Sequence, residues 1–426
     1  MKHRFLMHTI DLRNTAMSGG EGAIVYGEDY EREYVDFFAE VGAISLGYNH
    51  PAQQDALGRV AEEDIPIHMP QLWRHPERDR VARRICKVTK MDKVFFANCG
   101  TEAVETAVKV ARKAKFEMNN RDEKKTDFTI WYYEGDYHGR TYGSLAMSDG
   151  PGYYYDGFGR LPVGFKRFKK LEDIKGDFAG IVLAPIFGNR DVIPHSAEFL
   201  TELRRIADEN KAALIYDEVQ SAGGRCGAWT YGEKIDVFPD ILALAKGIAM
   251  GFPAAATLAK GRFAEALTPG SHFTTFGGSV IRSVFINGMI DWLTPARLKT
   301  INQNGKYLRD ELRKCGFQNV RGEGLMIACD VDIDAIELTR RAESKGVLVA
   351  CFRPGPGALK ITPPLSITRG EIDRGLKALG EAYHEIKYQM ELPFPEGEED
   401  EDSQDRLGRT NHDGGGSFNG ERATEE

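Results

Sequence analysis

The chain has 426 residues, 42% hydrophobic and 10% aromatic, which are globular values at a length too great for one core, so two or more lobes are expected. Its formal charge is −8, and residues 396–426 hold eleven acids and three arginines, 3 − 11 = −8, so the body is balanced and gives no support for binding nucleic acid or an anionic membrane. Cys86, Cys99, Cys226, Cys315, Cys329 and Cys351 show no Cys-x-x-Cys or Cys-x-x-His pairing, which argues against a zinc site or disulfide scaffold and suits a reducing cytoplasm, and no run reaches about 18 apolar residues, so no membrane span is expected.

The first seven residues are basic but lack a sustained apolar run and a cleavage site, so no leader is expected. Residues 1–35 read as an irregular arm followed by a hairpin: Ala23-Ile24-Val25-Tyr26, a polar turn, then Tyr34-Val35-Asp36-Phe37. Gly47 suggests a tight turn, and Pro51 suits the start of a helix over 52–61. His50 reads as a residue hydrogen-bonded at that helix start rather than as a catalytic base. A helix near 77–86 leads to a strand over 93–97 and then to Asn98-Cys99-Gly100-Thr101-Glu102-Ala103. The helix over 104–115 that follows is apolar at Val104, Ala107, Val108 and Ala111. Such a strand–Gly–helix junction presents unpaired N–H groups and a positive dipole end, which suits phosphate.

A strand at 128–133 precedes Gly135-Asp136-Tyr137-His138-Gly139-Arg140-Thr141, and another runs over 180–185. An amphipathic helix over 199–210 fits between parallel strands. From about 291 the pattern changes to a helix near 296–315, strands around 320–331, a helix over 334–345, a strand carrying Lys360 and a last helix near 369–390. The acidic, Gly-Asn-Asp-rich end after Pro395 is expected to be a disordered, solvating tail.

Two segments carry the chemistry. Leu214-Ile215-Tyr216-Asp217-Glu218-Val219-Gln220 has the pattern of a buried parallel strand whose carboxyl end meets a site. Ile241-Leu242-Ala243-Leu244-Ala245-Lys246-Gly247 delivers a lysine to a Gly-rich continuation. An acid and a lysine at the mouths of neighbouring strands are what pyridoxal 5′-phosphate (PLP) chemistry needs. The lysine holds the cofactor, and the carboxylate keeps the pyridine nitrogen protonated so that the ring acts as an electron sink. The Asp-Glu-Val-Gln…Ala-Lys-Gly pattern, with Lys246 at 246 − 217 = 29 positions after Asp217, resembles that of the class III (ornithine- and acetylornithine-type) aminotransferases of the fold-type I PLP enzymes.

The resemblance spans roughly residues 22–390. It implies an α/β fold, a mostly parallel sheet flanked by helices with a smaller α+β C-terminal domain. The division expected is an arm and hairpin at 1–50, a large PLP-binding domain at 51–290, a small domain at 291–395 and the tail at 396–426. The segment through Leu46-Gly47-Tyr48-Asn49-His50-Pro51 is similar to the family's "YxDF…LGHxHP". Cys99, Gly100 and Thr101 stand where the family has Ser-Gly-Thr/Ala, which implies a phosphate cradle. A thiol donates weakly, so the backbone donors carry most of that binding. By the same resemblance Tyr137 stacks on the pyridine ring, and Arg140 binds a substrate carboxylate through a bidentate guanidinium. Asp217 pairs with the ring nitrogen, Val219 packs on the ring and Gln220 lies near the phenolic oxygen. Lys246, displaced by the substrate amine, becomes the general base. His272-Phe273-Thr274-Thr275-Phe276-Gly277-Gly278 is similar to "H-x-S/T-T-F-G-G-N", in which Thr275 donates to the phosphate of the neighbouring subunit. That implies a homodimer with shared sites.

Three departures stand out. The family's Glu-Pro-x-Gln-Gly-Glu is Ala184-Pro185-Ile186-Phe187-Gly188-Asn189 here, and the late arginine that its second glutamate gates is Lys360. Arginine to lysine at a bidentate carboxylate site is not conservative. Glutamate and 2-oxoglutarate as the second substrate pair therefore do not follow, unless Lys360 binds an α-carboxylate as a point charge. Ser279 replaces the Asn of that motif, and Arg282 falls in a usually small stretch, where one reading places it along an altered substrate channel.

The expected function is a PLP-dependent aminotransferase moving an amino group between an amino acid or ω-amine and an oxo acid or aldehyde, by a ping-pong route through pyridoxamine phosphate. Its partners are small-molecule substrates, and no metal site is expected. The alternatives are an aminomutase, racemase or decarboxylase of the same family, and a non-catalytic protein that keeps the fold. The intact Lys246, Asp217 and Gln220 disfavour the last.

Overall fold

The apolar runs that end in Asp217 and Lys246 lie side by side in the middle of a seven-stranded sheet. The computed structural model describes residues 7, 9, 13, 15–188, 191–351 and 355–391; the expected tail and Asn189 lie outside these. The chain divides into a unit Met1–Ile386, which holds every sheet described below, and a second unit Lys387–Glu426, whose described part continues the helix Arg369–Glu391.

Across the sheet the strands run Lys93–Ala97, Ala255–Ala259, Ile241–Leu244, Ala213–Asp217, Gly180–Leu183, Ile130–Tyr133 and Phe165–Phe168. All neighbours are parallel except around Ala255–Ala259, which is antiparallel to both of its neighbours. The near-continuous apolar strands are explained by burial on two faces. Ala213 and Ile215 share a core with Ala103, Ala107 and Ala111 of the helix Gly100–Met118. Leu214 and Tyr216 share another with Leu200, Leu203 and Ala207 of the helix Ala197–Glu209. Each buried leucine contributes about 1.5–3 kcal/mol. Because Asp217 pairs with Ala243 in parallel register, Lys246 emerges three residues later at the same carboxyl edge.

Flanking sheets position that edge. The expected hairpin is present as Ile24–Gly27 and Glu33–Asp36, extended by Met17–Glu21 on one side and by Val347–Leu348, parallel to Glu33–Asp36, on the other. Gly47 closes it through paired Gly22 and Tyr48 backbone bonds of 2.8 and 2.9 Å. Its φ is +80°, and a Cβ there would come within 1.9 Å of the Gly22 carbonyl, so only glycine fits. The strand carrying Lys360 belongs to an antiparallel sheet ordered Gln318–Glu323, Met326–Val331, Gly357–Ile361, Ala350–Cys351.

Element ends differ from the sequence reading where side-chain caps decide them. The helix expected at 77–86 runs Pro76–Thr89, because the His75 ring accepts from the Glu77 N–H at its start and Lys90 takes a left-handed conformation at its end. The helix expected at 104–115 begins at Gly100. Its first turn is polar and faces the site, so apolar spacing does not reveal it. Among the described residues no helix is long and apolar enough to cross a membrane, and no cluster of His, Cys, Asp and Glu is arranged to hold a metal ion.

Candidate active site

Asp217 ends its strand with a carboxylate that is 7% exposed. One oxygen accepts from the Val219 N–H at 3.0 Å, and the other lies 2.8 Å from Nδ1 of His138. The His138 ring is buried, and its Nε2 faces Asp136 Oδ2 at 3.7 Å. Burial disfavours the imidazolium, but the hydrogen bond and charge of Asp217, then the charge of Asp136, outweigh it and raise the His138 pKa. Burial in turn pushes Asp136 up to about 7, with His138 opposing. The result is a carboxylate fixed in direction and backed by an imidazole whose charged form the two carboxylates favour.

Lys246 lies half-buried at the same edge. Its φ of +44° is unusual for a lysine, a strain of about 1–3 kcal/mol that clusters at working residues. Burial lowers its pKa, and the charges of Asp217 and Glu40 oppose that fall. The amine is thus more available than an ordinary lysine at neutral pH.

The junction after strand Lys93–Ala97 opens the helix Gly100–Met118 with Cys99 as N-cap, extended, exposed and making no side-chain cap bond. Its N–H groups are therefore left for a ligand. A Cβ on Gly100 would strike Val219 Cγ1 at 2.7 Å, so Val219 is seated on the cradle. The Thr101 hydroxyl turns instead to the loop after Arg140, at 2.8 Å from Thr141 Oγ1 and 2.6 Å from Ser144 Oγ, and Glu105 accepts from Thr141 Oγ1 and the Ser144 N–H.

Gln220 has both ends of its amide engaged. Its Nε2 donates to the Val41 carbonyl at 3.2 Å, and its Oε1 accepts from Lys360 Nζ at 2.9 Å. Lys360 is 1% exposed and also donates to the Gly188 carbonyl. Burial, then the positive charges of Lys246 and Arg225, lower its pKa well below the usual lysine value. The Val41 carbonyl is presented by a turn in which Ala39, Glu40 and Val41 all have φ between 45° and 55°. Bonds from the Phe38 and Ala39 N–H groups to Asp36 Oδ1, each 2.7 Å, and from Thr362 Oγ1 to the Phe38 carbonyl hold that turn.

Tyr137 is half-buried, and Arg140 is exposed with its Cζ 3.3 Å over the Tyr154 ring and 5.6 Å from the Tyr137 centroid. Thr275 is exposed on a turn whose neighbours Phe273 and Phe276 are also exposed. His50 caps the helix Pro51–Glu62: its Nδ1 accepts from the Ala52 N–H, and its own N–H donates to Gln53. Arg282 does not line a channel. It is 6% exposed, and its guanidinium is spent on backbone carbonyls and Asn98, because the chain wraps around it on all sides. Sequence reasoning gave no role to His138, which lay inside a quoted motif, or to Glu40 and Glu105, for which no local signal exists.

These features fit PLP: free N–H groups at a helix start beneath Val219, a backed carboxylate, and an amine made available by burial. A family model described as aminotransferase class-III matches residues 10–383. The chain is 35% identical over 370 residues to an acetylornithine aminotransferase of Aquifex aeolicus (strain VF5), covering 85% of this chain and 95% of that protein. It is 32% identical over 378 residues to a succinylornithine transaminase of Photorhabdus laumondii, covering 85% and 92%. The ornithine aminotransferase structure from Toxoplasma gondii ME49 superposes with a TM-score of 0.84 at 25% identity, covering 90% of this chain and 94% of that one. On this combined fold, site and sequence match, the chain belongs to the class-III aminotransferases, a PLP-dependent family that carries out transamination.

Proposed function

We propose that this aminotransferase takes its amino group from the far end of a carboxylate-bearing ω-amino donor, an ornithine-type substrate free or acylated on its other amine, and passes it to an oxo acid. The observation that carries the reading is Arg140, an exposed guanidinium braced on Tyr154 and carried by the same loop as Tyr137. The names of the relatives, which are acetylornithine, succinylornithine and ornithine aminotransferases, support it.

Bound PLP supplies the electron sink that takes up the pair left when the donor loses a proton. Asp217, oriented by His138, holds the proton on the ring nitrogen. Lys246, freed by the incoming donor amine and with its pKa lowered, would take a proton from the donor carbon and return it two atoms along, a 1,3-shift. The N–H groups at Gly100 and Thr101, with Cys99 beside them, hold the phosphate. Val219 and Tyr137 would supply apolar contacts to the ring. Lys360 is assigned to holding Gln220, whose Oε1 accepts from its Nζ at 2.9 Å, rather than to a carboxylate.

The active form proposed is a homodimer with Thr275 serving the partner's phosphate. Leu72, 89% exposed, and Phe273, 67% exposed, lie with Ile67, Trp73 and Phe276 on two loops joined by a Gln71–Thr274 hydrogen bond and the His68–Phe276 ring contact. Exposed apolar groups on this scale mark an interface. A cytoplasmic setting is proposed from the unlinked thiols of Cys86, Cys99, Cys226, Cys315 and Cys329. The division into hairpin, large domain and small domain is retained as a proposal.

The substrate reading is tested with Arg140→Ala. KM for carboxylate-bearing ω-amino donors is expected to rise about 10- to 100-fold, the worth of a charge-assisted hydrogen bond, with little change for a simple alkyl amine. Equal losses for both donor types would refute it.

A further inference from the structure

Arg282, on the helix Val280–Trp292, is committed to the site's surroundings, yet no step above uses it. Its Nε donates to the Pro253 carbonyl at 2.8 Å, and its Nη1 donates to the Gly277 carbonyl at 2.6 Å and to the Phe276 carbonyl. Its Nη2 donates to Asn98 Oδ1 at 3.0 Å. Asn98 is a hub. Its Nδ2 donates to Thr274 Oγ1 at 3.0 Å and to Glu102 at 2.8 Å, and its N–H donates to Glu102 at 2.9 Å. The next residue along the chain is Cys99, where the phosphate cradle begins. A Cβ on Gly277 would come within 2.2 Å of the Phe96 carbonyl, so the turn lies directly on the strand that feeds the cradle. Thr275 therefore stands exposed between Thr274, tied to Asn98, and Phe276, tied to Arg282.

We propose that Arg282 is a positioning residue that, through Asn98, couples the phosphate cradle of one subunit to the turn that completes its partner's site, so that loading one site of the dimer with cofactor favours loading the other. The inference rests on the shared-site dimer proposed above. Phosphate bound at Cys99–Thr101 orders Asn98. Asn98 then holds Thr274 directly and the Phe276–Gly277 carbonyls through Arg282. The turn serving the second site is thereby ordered before its own cofactor arrives, and the second binding pays less conformational entropy. A fork that reaches several carbonyls and one amide oxygen at once suits arginine and not lysine.

The test strips the cofactor from the full-length protein, titrates PLP back by absorbance and follows the oligomer by sedimentation. For the wild-type dimer the second site is expected to bind about tenfold more tightly than the first, giving a Hill slope of about 1.5. Arg282→Met is expected to remain a dimer but to titrate with a slope of about 1 and about tenfold weaker affinity. Arg282→Lys restores charge without the fork, and is expected not to recover the slope. Asn98→Ala leaves the carbonyl bonds of Arg282 in place and is expected to lose the slope alone, so it carries the test if Arg282→Met fails to fold. A wild-type slope of 1, or variant dimers that keep the wild-type slope, would overturn the coupling. A wild type that sediments as a monomer would overturn the shared-site reading beneath it, which a dimer with uncoupled sites would not.

Discussion

The working amine is tuned by two carboxylates of different kinds. Asp217 sits at a strand end backed by His138, while Glu40 is exposed on the strained turn at Ala39–Val41. Both raise the pKa of Lys246 against the larger effect of burial. In the proposed role Lys246 acts only when neutral, so activity is expected to fall as pH drops through its depressed pKa. Glu40→Gln removes one raising charge and is expected to shift the acid limb of the kcat profile to lower pH. A limb that stays put or moves to higher pH would show that Glu40 does not act on this amine. Residue type and motif spacing single out Lys246, Asp217 and Tyr137 in the sequence, and the structure brings the first two to one sheet edge. His138 was not legible there, since its contact with Asp217 bridges 79 positions. Arg282 had no firm reading, because a sequence shows a guanidinium but not the carbonyls folded around it.

At the scale of elements, caps and turns decide what the periodicity leaves open. His50→Ala removes a capping box and is expected to lower unfolding stability by about 1 kcal/mol while kcat stays at the wild-type value. A large fall in kcat at unchanged stability would make His50 part of the chemistry instead. The strand at 93–97 was readable as a short apolar run, and the amphipathic helices because their apolar faces repeat with the helical period. The turn at Ala39–Val41 was not, because three residues other than glycine take the left-handed backbone ahead of Gly42. Its left-handed backbone is imposed by Asp36, Thr362 and Gln220, residues far apart in the chain. The start of the helix at Gly100 was not legible from periodicity, because Gly100, Thr101 and Glu102 are not apolar.

For the whole molecule, strand order is the part no local pattern supplies. The strand Ala255–Ala259 inserts antiparallel between the lysine strand and the edge strand Lys93–Ala97. That insertion brings the phosphate junction at Gly100 alongside Val219, and parallel register beside it sets Asp217 against Lys246. The family resemblance implied a mostly parallel sheet flanked by helices with a smaller α+β domain, but neither it as read nor the apolar runs gave the strand order. Assembled at one carboxyl edge, this site moves an amino group in two half-reactions. The most direct test is the absorbance of the PLP-loaded protein mixed with single amine donors in the absence of any oxo acid. The cofactor band is expected to convert stoichiometrically to that of the amine form with an ω-amino donor, and to return when one oxo acid is added. A band that never converts with any donor, or that converts with loss of carbon dioxide and does not return with an oxo acid, would contradict the account.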